Sequence, residues 1–161
     1  MPNLLEQPRQ PDMQRRSIVC RTMQVRADSV NEEDRSVEAV FATEQAVSVF
    51  DMREWRPIHE VLRMDGAIVP QRVPMLNNHY RFSLDDVYGS ARDAKVMGDR
   101  LVGRLYFASG DEDVERAWNK VKQGHLVDVS VGYRIDQSTT IPSGQTMTVG
   151  GRQYKAEDKP L

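Results

Sequence analysis

The apolar residues of this chain fall into short runs that alternate with polar ones, and only one stretch repeats them at spacings of three and four. Alternation at every second position lays apolar side chains on one face of a strand, whereas three-and-four spacing lays them along one side of a helix. The pattern therefore predicts an α+β, mainly β fold with one good helix. Strand-type runs occur at Ser17-Ile18-Val19-Cys20, at Ser36-Val37-Glu38-Ala39-Val40-Phe41 and at Ala46-Val47-Ser48-Val49-Phe50, separated by polar stretches such as Asn31-Glu32-Glu33-Asp34. These read as antiparallel neighbours. Further strands are predicted at 72–76, where Pro74 marks an edge or a strand start, at 87–96 and at 100–107, with Gly98-Asp99 turning the chain between the last two.

The helical stretch runs over 111–123, with Val114, Ala117, Trp118 and Val121 on one side. Its ends are marked as well. Asp111, Glu112 and Asp113 sit where the helix dipole favours negative charge, Lys120 and Lys122 lie near the other end, and Gly124 suits the left-handed stop position. Immediately afterwards, Leu126-Val127-Asp128-Val129-Ser130-Val131-Gly132-Tyr133-Arg134 alternates with period two and reads as a strand. Residues 55–64 read as a short helix or an irregular packed loop, since Pro57 opens a segment in which Ile58, Val61 and Leu62 fall at helical spacing. In the tail, turns at Ile141-Pro142-Ser143-Gly144 and Gly150-Gly151 flank a hairpin of 145–149 and 152–155. Residues 1–16, with Pro2, Pro8 and Pro11 among polar residues, read as a flexible N-terminal arm, which leaves 17–161 as one domain.

Composition narrows the function. With 22 basic and 24 acidic residues and a formal charge of −2, no overall field draws the protein to nucleic acid or an anionic membrane, so its partners are expected to be proteins. Cys20 is the single cysteine, which excludes an internal disulfide and a thiolate zinc site within the chain and fits a reducing cytoplasm. No apolar run approaches the roughly 18 residues of a membrane span, so a soluble protein is expected.

In the strand at 126–134, Val127, Val129, Val131 and Tyr133 share one face and Asp128, Ser130 and Gly132 the other, which places Ser130 away from the core beside a residue with no side chain. A serine at neutral pH needs a positioned base, most often histidine, to take its proton as it attacks. Three histidines are available: His59 after Pro57, His125 between the helix and the serine strand, and His79 at the end of the strand at 72–76. Strand ends are where a rigid scaffold presents catalytic groups, which favours His79. By pattern alone the plainer reading is the commoner one: Ser130 a solvent-facing strand serine and His79 a hydrogen-bonded surface residue. Other chemistries lack their parts, since the sequence contains no His-Glu-x-x-His, Cys-x-x-Cys, phosphate-binding Gly-x-x-x-x-Gly-Lys-Ser/Thr or Gly-x-Ser-x-Gly. Nor do the three histidines have metal-ligand spacing, so neither a cofactor nor a metal is expected.

The order of these parts carries a resemblance. Val73-Pro74-Met75-Leu76-Asn77-Asn78-His79, then Tyr88-Gly89-Ser90-Ala91, then Arg104-Leu105-Tyr106-Phe107-Ala108, then the helix, Gly124 and Val129-Ser130-Val131-Gly132-Tyr133-Arg134 together resemble the prohead (capsid maturation) serine protease family of tailed phages, similar in fold to the herpesvirus assembly proteases. The resemblance spans roughly residues 37–134. It implies a compact antiparallel β-barrel flanked by a few helices, with His79 as general base and Ser130 as nucleophile. It also implies substrates that are scaffold and major capsid proteins, cut inside the procapsid in the host bacterial cytoplasm. Members of that family usually continue into a further strand with an acidic residue that orients the histidine, and this chain reaches Leu161 before such a strand. The expectation is therefore a truncated barrel, completed by a downstream segment or by self-association, or a catalytically inactive protease-fold procapsid component acting as a structural or scaffold-binding module.

Overall fold

The computed structural model describes residues 23–52 and 54–161; the expected arm at 1–16 and the run at 17–20 with Cys20 lie outside the described residues. Among the described residues, ten strands and one α-helix follow in the order β1 (Met23–Gln24), β2 (Ser36–Thr43), β3 (Val47–Asp51), β4 (Arg56–Glu60), β5 (Arg72–Leu76), β6 (Val87–Met97), β7 (Arg100–Phe107), α1 (Glu112–Lys122), β8 (Asp128–Val129), β9 (Thr146–Val149) and β10 (Arg152–Lys155). Three single 3-10 turns lie between them, at Ala27–Ser29, Met64–Gly66 and Leu84–Asp86. No helix among the described residues is long and apolar enough to cross a membrane.

The central element is a four-stranded antiparallel sheet in the order β2-β7-β6-β5. Its longest hairpin, β6 to β7, turns at Gly98 in the left-handed conformation (φ 63°), where the sequence pattern puts the turn. In the β2–β7 ladder Ala39 stands opposite Gly103. A Cβ at Gly103 would come within 2.6 Å of the Phe41 ring and 2.9 Å of the Arg92 carbonyl oxygen, so only glycine lets that ring lie against β7.

Helix α1 covers one face of this sheet. Val114, Ala117, Trp118 and Val121 are buried together with Val37, Ala39, Phe41, Ala91, Leu105 and Phe107, and the Trp118 and Phe107 ring centroids stand 5.1 Å apart. Each large side chain removed from water here contributes about 1.5–3 kcal/mol. Both ends of the helix are closed. Asp111 accepts from the backbone N–H groups of Asp113 (2.8 Å) and Val114 (3.1 Å), and Gly124 (φ 72°) ends the helix while the N–H of Gly124 donates to Val121 and that of His125 to Lys120.

Several expectations are corrected. Residues 56–60 form a strand rather than a helix or loop: β4 pairs with β3, with Ile58 opposite Val49, so cross-strand packing overrides the helical spacing of Ile58, Val61 and Leu62. The runs now called β2 and β3 are not partners, because β2 pairs with β7 and β3 with β4. Only Asp128–Val129 of the predicted strand at 126–134 is in a ladder, since its partner β1 is itself two residues long. Val127 is exposed (41%) rather than buried, although 129, 131 and 133 remain less exposed than their neighbours.

The barrel that the resemblance implies, truncated or whole, is not formed by the described residues. The segment 23–26 lies between β8 and β2: the Val25 N–H donates to Val127 and the Arg26 N–H to Glu38, while Val25 also bridges Ala39. Strand order thus extends as β8, β1, β2, β7, β6, β5, and no pairing joins β5 to β8. Two causes keep the ends apart as strands. β8 is short, and β5 carries Pro74, which has no N–H to donate to a further neighbour. The two remaining hairpins, β3–β4 and β9–β10, pair separately. Near the chain end Leu161 exchanges backbone hydrogen bonds with buried Ile141, and the Pro160 carbonyl accepts from the His59 N–H of β4.

Candidate active site

His79 and Ser130 are brought together from opposite ends of that strand order. His79 lies three residues past β5 and Ser130 one residue past β8, and Ser130 Oγ stands 2.5 Å from His79 Nε2. With the hydroxyl donating and the ring nitrogen accepting, this is the contact a serine needs for its proton to be removed during attack. Acceptance at Nε2 requires the tautomer that carries hydrogen on Nδ1; that assignment follows from the bond rather than from observed hydrogens.

The local chain explains how the ring gets there. After β5 the backbone turns through two consecutive left-handed residues, Asn78 (φ 48°) and His79 (φ 61°). Asparagine and histidine tolerate that region better than most residues, yet each pays roughly 1–2 kcal/mol to occupy it. The loop holding them is closed by hydrogen bonds. Asn77 N–H donates to the Asp86 carbonyl (2.8 Å) and Tyr80 N–H to the Asn77 carbonyl (2.9 Å), while one Asp86 carboxylate oxygen accepts from the N–H groups of Phe82 and Ser83. Ser83 caps the following 3-10 turn by accepting from the Asp85 N–H.

On the serine side, the Gly132 backbone faces the other edge of the imidazole, where a Cβ would lie 3.8 Å from His79 Nδ1. Two residues after Val131, the Tyr133 hydroxyl donates to Glu60 Oε1 of β4 at 2.5 Å. The segment following Ser130 is therefore tethered to the β3–β4 hairpin. His79 is half-buried and Ser130 exposed, so the pair is reachable from solvent.

The other candidates fall elsewhere. His59 sits in β4 opposite Ser48, and His125 closes the turn after α1. Among the described residues no carboxylate hydrogen-bonds His79 Nδ1: Asp128 is exposed in β8, and Asp99, in the turn before β7, lies 3.5 Å from the Arg100 guanidinium. Nor does any group of three His, Cys, Asp or Glu side chains among the described residues form a metal site.

Sequence reasoning missed three parts of this site: the paired left-handed residues, the Tyr133–Glu60 bond and the aspartate lock of the loop. Only the last left a readable signal, Ser83 followed three positions later by Asp86, which is the spacing of a capping box. Comparison with models of known families, with curated protein sequences and with solved structures gives no match.

Proposed function

We propose that this protein is a serine endopeptidase of the tailed-phage prohead protease type, in which Ser130 is the nucleophile and His79 the general base. The observation that carries the proposal is the 2.5 Å contact between Ser130 Oγ and His79 Nε2, made by the two residues that the motif order singles out for those roles. Its substrates are the scaffold and major capsid proteins of the procapsid, inside the infected cell.

In this reading His79 takes the hydroxyl proton as Ser130 Oγ bonds to the peptide carbonyl carbon, and backbone N–H groups near the site stabilise the resulting oxyanion. The C–N bond then breaks, His79 returns the proton to the leaving amine, and water hydrolyses the acyl-serine by the same route in reverse. An orienting carboxylate at Nδ1 would raise the rate by holding the required tautomer; its loss costs about 10⁴-fold in the best-studied serine protease.

Two measurements test this. A fluorophosphonate probe is expected to label the protein at Ser130 and not the Ser130→Ala variant, and Ser130→Ala or His79→Ala to reduce cleavage by roughly 10²-fold, the margin left where no carboxylate among the described residues orients His79, with the double variant little worse than either single one. Co-expressed with its scaffold and capsid proteins, the protein is expected to yield processed fragments only with both residues intact. Equal processing by the Ser130→Ala variant would sink the assignment; unprocessed but altered procapsids from both wild type and variant would instead assign a structural, scaffold-binding role.

A further inference from the structure

We propose that the loop carrying His79 is also a substrate subsite, in which Tyr80, Phe82 and Leu84 form an apolar shelf for a large apolar side chain of the polypeptide being cut. The inference rests on the endopeptidase reading and adds to it the class of residue that the enzyme selects.

Phe82 is 92% and Leu84 89% exposed, and Tyr80, half in water, holds its ring centroid 6.2 Å from that of Phe82. Single exposed apolar residues are ordinary on protein surfaces, whereas neighbouring ones form a patch that gains free energy when covered. Here the exposure does not come from slack in the chain. The Asp86 carboxylate holds the N–H groups of Phe82 and Ser83, and the Asn77 N–H joins the start of the loop to the Asp86 carbonyl at its end. The side chains are thus presented to solvent by a backbone fixed around them, as a preorganised contact surface requires.

Position identifies the occupant. Tyr80 follows the proposed general base directly, and Phe82 lies three residues beyond it, so its Cα is no more than about 11 Å from that of His79. An extended peptide advances about 3.3 Å per residue, so a chain seated on Ser130 reaches Phe82, the middle of the shelf, within about three residues of the bond being cut. A polypeptide substrate with Leu, Phe or a similar side chain at that distance covers the shelf with no movement of the loop.

The test uses the whole chain and its Phe82→Ser and Leu84→Ser variants, substitutions at exposed positions that leave the hydrogen bonds of the loop in place. The first readout is the rate of Ser130 labelling by a small fluorophosphonate, which does not reach the shelf. The second is kcat/KM on a dodecapeptide library randomised among Leu, Phe, Ala, Ser and Lys. Labelling is expected to stay within about twofold while cleavage of peptides with Leu or Phe near the cut falls roughly tenfold and their advantage over Ala is lost. Normal labelling with unchanged selectivity would overturn the shelf alone. Loss of cleavage that follows dissociation of a dimer in sedimentation would assign the patch to a second copy of the chain and overturn it as well. If the wild type neither labels nor cleaves, the endopeptidase reading fails and the shelf falls with it.

Discussion

Few side chains decide whether His79 meets Ser130, and those few act through the backbone. Asn78 and His79 both occupy the left-handed region, and the contact with Ser130 depends on the chain being held in that turn. Strain of this kind persists only where the surroundings over-determine it, and here the hydrogen bonds between Asn77, Tyr80 and Asp86 do so. On the other side Tyr133 plays a comparable part, since its hydroxyl bond to Glu60 ties the segment after Ser130 to β4. Tyr133→Phe is expected to lower stability by about 1 kcal/mol, the usual net worth of one such bond, and to slow fluorophosphonate labelling of Ser130 severalfold. Glu60→Ala should slow labelling as well, whereas Glu60→Gln, whose amide oxygen still accepts from Tyr133, should restore the labelling rate. Equal labelling rates in all three variants would show that the bond serves stability without positioning the serine.

Elements were legible in the sequence where their own residues determine them. Helix α1 is the clearest case: its stripe, its acidic start and its stop glycine all lie within the segment itself, and the structure places each where the pattern does and adds Asp111 as the cap. The β6–β7 and β9–β10 hairpins likewise carry their turns at Gly98 and at Gly150-Gly151, all left-handed. What failed depends on partners distant in sequence. β4 reads as a short helix or a packed loop until Val49 and Phe50 are placed opposite Ile58 and Pro57, and the run at 126–134 shortens because β1 offers only Met23 and Gln24. For the site, the order of motifs pairs His79 with Ser130 and the structure brings the two within 2.5 Å, although no local pattern encodes a meeting across 51 positions. A helix that carries its own signals should also respond to its own cap. Asp111→Ala is expected to cost about 1 kcal/mol, which for a chain of this size lowers the thermal midpoint by about 2–4 °C. Asp111→Ser, which keeps an oxygen for the Asp113 and Val114 N–H groups, should restore most of it.

At the scale of the described chain, strands β8, β1, β2, β7, β6 and β5 form a succession, and the His79–Ser130 contact links the segments that leave its two ends. His79 and Ser130 are thus carried by segments at opposite ends of a series of strand pairings. Long-range strand pairing is intrinsically slow to assemble, and ends held by short ladders open more readily than a central strand such as β7. In a urea titration, Ser130 labelling is therefore expected to disappear at a lower concentration than the far-ultraviolet circular dichroism signal. Coincident midpoints would mean that the ends do not open on their own. Under the endopeptidase reading this arrangement would act as a safety interlock: a half-folded copy would keep Ser130 and His79 apart on segments that follow different strands, and peptide-cutting chemistry would await the fold that brings them together.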